Sequence, residues 1–153
     1  MKISINWLKD FVDTDDSNSE IAHNLTMLGL EAEDTLETNG LEDIIVAEVT
    51  HRIKHPNADR LNLCKVFDGK STFPIVCGAP NVDAGQKIAF APVGATLPGD
   101  FKINKAKIRG EVSEGMICSE KELNISDEHE GIMVLSENAI SGQSFIEYLI
   151  NNN

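Results

Sequence analysis

From Ile44 onward the chain is a succession of short apolar runs separated by turn-forming residues, and this rhythm restricts the fold more than any other property. IIVAEVTHRI, LNLCKVF, FPIVC and KIAFA begin at Ile44, Leu61, Phe73 and Lys87, with further β-type segments around 103–108, 115–118 and 132–135. Short strands at such spacing predict a small barrel, in which closure disposes of exposed sheet edges. Asp68-Gly69 falls between two runs and favours a tight hairpin turn, and Leu97-Pro98-Gly99-Asp100 carries Pro and Gly where a type II turn needs them. Gln143 to Ile150, with Phe145, Ile146, Leu149 and Ile150 apolar, predicts a short closing helix.

The first forty residues follow a different period. Ser17 and Glu20 have capping-box spacing, Ile21, Leu25 and Leu28 recur at i, i+4 and i+7, and Gly29 suits a left-handed helix end, so a helix is expected over Ser17 to Gly29. A second is expected around Asn6 to Val12, with Trp7, Leu8 and Phe11 on its apolar side, and an extended stretch over Leu30 to Leu36. The fold class expected is mainly β with short helices: a small α/β N-terminal appendage over 1–40, ending at Thr38-Asn39-Gly40, and a barrel over 41–150. A chain of 153 residues can bury a core without a disulfide or metal staple.

Charge narrows the function classes. Thirteen basic and 25 acidic residues give −12, the reverse of a general nucleic-acid binder, and the first forty residues alone carry two basic against nine acidic. The exception is Lys102, Lys105, Lys107 and Arg109, four cations in an eight-residue stretch that contains no acid, which from charge alone reads either as a solvated strand and loop or as a small positive lobe aimed at phosphates. Arg52, Lys54 and Arg60 form a weaker cluster offset by Asp59. Of the aromatic residues, Phe90 sits among alternating apolar residues as core, whereas Phe101 adjoins the cations and is the best stacking candidate.

Catalytic motifs do not emerge. His51 and His55 are four apart, but a strand end at His51 and Pro56 after His55 oppose the helical geometry that would aim both at a metal. The segment Gly110 to Gly115 reads GxxSxG, which is not nucleophile-elbow spacing, and no Walker or GxGxxG run occurs. Cys64, Cys77 and Cys118 are odd in number without a CxxC, which fits a reducing, cytoplasmic setting and indicates neither zinc nor a disulfide framework. The polar residues in MKISINWLKDF interrupt any signal-peptide core, and no run approaches 18 apolar residues, so export and membrane insertion are not expected.

Four motifs in order, HPNAD at His55 to Asp59, IVCGAPN at Ile75 to Asn81, GATLPG at Gly94 to Gly99 and IRGEVSEGMICSEKEL at Ile108 to Leu123, give the region Ile45 to Gly142 a specific resemblance. It resembles the oligonucleotide-binding-fold (OB) domain shared by bacterial phenylalanyl-tRNA synthetase β subunits, some methionyl-tRNA synthetase tails and free-standing tRNA-binding proteins. MKISINWLKDF and LTMLGLEAE resemble the start of the β subunit itself. The resemblance implies a non-catalytic tRNA-binding module within an α2β2 enzyme that charges phenylalanine-specific tRNA with ATP and magnesium. Its implied partners are tRNA, the catalytic α subunit and a second αβ pair, with no DNA and no membrane. No cofactor is implied for this chain, and its N-terminal appendage would be completed by chain beyond the barrel. Carried over by motif, RNA contact falls to Lys102, Lys105, Lys107, Arg109, Ser113 and Met116, and loop shaping to His55, Asn57, Asp59, Gly78, Pro80, Asn81, Pro98 and Gly99. The alternative is a structural module that braces the synthetase assembly with little direct tRNA contact.

Overall fold

The computed structural model describes Met1, residues 3–35 and residues 38–152, the side chain of Asn6 excepted. Leu36, the end of the expected extended stretch, lies outside the described residues, as do Lys2, Glu37 and Asn153. The chain divides into two compact units, residues 1–37 with 152–153, and Thr38–Asn151.

In the first unit, α1 (Ile5–Lys9) is a single turn capped by the Ser4 hydroxyl, and α2 (Asn18–Met27) is the capping-box helix expected. The Ser17 amide donates to the Glu20 carboxylate at 2.9 Å while the Glu20 amide donates back to the Ser17 hydroxyl at 3.3 Å. At the other end Gly29 turns left-handed, φ +89°, so that the Leu30 amide reaches the Leu25 carbonyl and closes the last turn. The apolar stripe is only partly used: Ile21 is buried, but Trp7, Phe11, Met27, Leu28 and Leu30 remain exposed.

The second unit is the barrel. Its strands are β1 (Ile45–Lys54), β2 (Asn62–Phe67), β3 (Thr72–Cys77), β4 (Lys87–Pro92), β5 (Thr96–Leu97), β6 (Phe101–Lys102), β7 (Ala106–Ile108), β8 (Glu111–Ser113), β9 (Gly115–Ile117) and β10 (Val134–Leu135), followed by α3 (Phe145–Asn151). The main sheet runs β10-β4-β1-β2-β3 with β9 on the far edge of β4, all antiparallel. Two bonds then bring the β8–β9 corner to the free edge of β3: Glu114 donates to the Pro74 carbonyl at 2.8 Å, and the Val76 amide donates to the Ser113 hydroxyl at 3.1 Å. The sheet is thereby nearly closed, in the manner of an OB-type barrel.

Alternation along β4 explains why this strand is buried on both sides. Ile88 and Phe90 point into the barrel core with Val49, Cys64, Val66, Ile75 and Ile117, while Ala89 and Ala91 face a second core built from Leu41, Ile44, Leu97, Leu123, Phe145 and Tyr148. Small alanines on that side leave room for α3, which the Phe145 amide ties to the Ile44 carbonyl and the Tyr148 hydroxyl ties to the Ser136 amide at 3.0 Å. Burial pushes the thiol of Cys64 up to about 11 and raises those of Cys77 and Cys118, so all three stay protonated at neutral pH.

The turns differ in detail from their sequence signals. Asp68-Gly69 opens a four-residue connection between β2 and β3, in which the Asp68 carboxylate accepts the Lys70 and Ser71 amides at 2.8 and 2.7 Å. Between β5 and β6 both Gly99 (φ +86°) and Asp100 (φ +60°) are left-handed.

Candidate nucleic-acid interface

Two connections meet at one end of the barrel. The first is the HPNAD loop between β1 and β2, and the second is the long connection between β4 and β9, which carries the hairpins β5–β6 and β7–β8. In the first, the His55 ring accepts a backbone amide: the Asn57 amide donates to His55 Nδ1 at 3.0 Å. That donor requires Nδ1 to be unprotonated, which puts the ring proton on Nε2, where it is donated to the Ile108 carbonyl at 3.2 Å. Buried at 4% exposure, His55 therefore links the loop to the hairpin β7–β8.

The hairpin turns through Arg109 (φ +53°) and Gly110 (φ +90°), with Ile108 opposite Glu111. Two successive left-handed residues make the primed turn that matches strand twist, and an arginine there costs about 1 kcal/mol relative to glycine. This strained position holds a cation at the outermost point of the hairpin. Lys107 precedes it on β7, opposite Val112, and is exposed. Lys105 is exposed too but is engaged by Glu114 at 2.7 Å. Among the described residues, Lys102, Lys107 and Arg109 have no carboxylate within ion-pair distance. Lys102 lies beside the exposed Phe101 on β6, a separate hairpin whose Thr96 amide is anchored to Asp43 at 3.1 Å.

The remaining motif residues occupy other places. Ser113 is buried at 3% exposure, where its hydroxyl donates to the Gly115 carbonyl at 3.2 Å while accepting the Val76 amide, which makes it a clasp of the barrel. Ser113→Ala should leave that part-buried amide unpaired and lower stability by about 1–3 kcal/mol, read as a shifted urea midpoint; an unchanged midpoint would remove the clasp role. Met116 is half-buried on β9 opposite Ala91, against the outer core. Asn81 ties its loop to Ile132: its amide side chain exchanges two bonds with that residue, 3.0 Å from Nδ2 to the carbonyl and 2.9 Å from the Ile132 amide to Oδ1. Pro80 precedes it, while Gly78 lies close to Leu61, and Pro98 lies against Gly40 beside Gly99.

Sequence reading missed the hairpin β7–β8 as an element, although Arg109-Gly110 between Ile108 and Val112 was its available signal. It also missed the reach of His55 to Ile108, for which a separation of 53 residues leaves no local signal. Among the described residues no three His, Cys, Asp or Glu side chains converge as a metal site, and no helix is long and apolar enough to cross a membrane.

Comparison with known proteins places this geometry. A 57% identical relative over 136 residues, 88% of this chain and 17% of the relative, is a phenylalanine–tRNA ligase beta subunit of Geobacter sulfurreducens. Another so named, from Syntrophus aciditrophicus, is 44% identical over 150 residues, 97% of this chain and 19% of its own length. The chain thus spans less than a fifth of the length of these curated relatives. Among solved structures, the C-terminal domain of Plasmodium vivax p43 overlays 70% of this chain and 61% of its own with a TM-score of 0.49 at 20% identity, too loose a match to carry an argument. The family model of a putative tRNA-binding domain matches residues 44–144, which are the barrel and both of its loops. With well over half of its residues inside that match, the chain belongs to the tRNA-binding domain family.

Proposed function

We propose that this chain is the tRNA-binding module of a phenylalanine–tRNA ligase β subunit, with the β7–β8 hairpin and the His55 loop as its RNA-facing edge. The carrying observation is the pair of cations, Lys107 and Arg109, that have no carboxylate partner among the described residues and stand at the turn of an exposed hairpin on a chain of net charge −12. In OB barrels these two loops flank the ligand face, and structured RNA is read there through shape and phosphate. Lys102 adds a third phosphate contact, Lys105 contributes less because Glu114 neutralises it, and Ser113 and Met116 support the edge from within.

In the whole enzyme, charging of phenylalanine tRNA with ATP and magnesium belongs to the α subunit, outside this chain, in an α2β2 assembly in the cytoplasm. The 1–40 appendage is completed by later chain, a reading supported by the exposed Trp7, Phe11, Met27, Leu28 and Leu30, and the tRNA-binding domain extends over 41–150. Those same residues, with the −12 charge, favour the second reading, an assembly module with little tRNA contact.

Titration of fluorescent tRNA with the chain separates the two. With three phosphate contacts, affinity should fall about 20- to 40-fold between about 50 and 200 mM salt. Absence of binding at the lower salt would reject the RNA-facing reading and leave the assembly role.

A further inference from the structure

We propose that His55 is a positioning residue for RNA binding: its Nε2–H, given to the Ile108 carbonyl, holds the tip of the cationic β7–β8 hairpin against the β1–β2 loop. This rests on the RNA-facing role proposed above for that hairpin.

The hairpin needs such a tether. Its two strands are three residues each, every residue of β7 is exposed, and an isolated two-stranded ribbon of this size is marginal in water. Its base is fixed to β3 through Ser113 and Glu114, and Lys105 pairs with Glu114 at that same end. The tip is held by His55. The ring is itself immobilised, since the His55 amide donates to the Leu61 carbonyl at 3.0 Å and Nδ1 accepts the Asn57 amide. Lys107 and Arg109 are the chain neighbours of Ile108, so fixing the Ile108 carbonyl fixes the direction in which both cations leave the barrel. The same imidazole thus shapes its own turn through one nitrogen and aims the cations through the other.

The two nitrogens can be tested apart. His55→Asn retains an acceptor near the place of Nδ1 for the Asn57 amide but has no group that reaches Ile108, whereas His55→Gln retains a donor with that reach. At about 50 mM salt, His55→Asn should weaken tRNA binding by about 3- to 10-fold, the worth of one hydrogen bond, and flatten its salt dependence. His55→Gln should recover most of the loss. In a Lys107→Ala/Arg109→Ala background His55→Asn should have no further effect, because nothing remains to aim.

Amide hydrogen exchange provides a readout without RNA: Ile108 to Glu111 should exchange faster in His55→Asn than in the unmodified chain, with the β1–β4 amides unchanged. Unaltered exchange at the tip, or an equal loss of affinity in both backgrounds, would overturn the positioning role while leaving the RNA-facing reading intact. Failure of the unmodified chain to bind tRNA would overturn both.

Discussion

Replacing Lys102, Lys107 and Arg109 together with alanine should flatten the salt dependence of tRNA binding, from a fall of about 20- to 40-fold between about 50 and 200 mM salt to one within about twofold. Each phosphate contact contributes about 0.7–0.9 to the slope through counterion release, and these are the cations of the acid-free stretch with no carboxylate partner among the described residues. Lys105 is left in place because Glu114, 2.7 Å from its ammonium, already offsets part of its charge. The control replaces Lys9, Lys70 and Lys121, which changes net charge equally but touches neither hairpin. If both triple variants weaken binding alike, long-range charge governs the affinity and the hairpins are not the interface.

The largest stability effect is expected at Gly115. A Cβ there would lie 2.6 Å from Cε2 of Phe90 and 2.8 Å from the Ala91 carbonyl oxygen, and the backbone stands at φ +133°, a conformation L side chains rarely adopt. Phe90 is fully buried and packs against Phe73 at 5.7 Å between ring centroids, so it cannot move aside without disturbing the barrel core. Overpacking and backbone strain together predict a loss of about 3–5 kcal/mol for Gly115→Ala. Gly85, at φ +90° with nothing within 4 Å of its added Cβ, isolates the strain alone, and Gly85→Ala should cost about 1 kcal/mol. Urea unfolding of both variants reads the difference directly. Equal midpoints would mean that β9 does not approach β4 as closely as the structure has it.

Much of the fold was legible because it is written in local chemistry. The capping box at Ser17 and Glu20, the left-handed close at Gly29, and the runs that became β1 to β4 are each decided within a few residues. β5, β6 and β8 escaped notice, since strands of two and three residues carry too little periodicity to register. Leu28 shows the opposite failure: its helical spacing predicts burial, yet it is exposed, because spacing states which residues share a face and not what covers that face.

The candidate site divides along the same line. Sequence alone determined the strand-rich class, the turns at Asp68-Gly69 and Pro98-Gly99 and the location of the acid-free cations, since composition and short-range pattern suffice for these. Tertiary structure decided that Lys105 is paired with Glu114, that Ser113 closes the barrel, and that His55 reaches the hairpin tip. These depend on register between strands and on loops brought together from 37 to 53 residues apart, and a chain's local preferences cannot specify which distant partner satisfies a buried donor or acceptor.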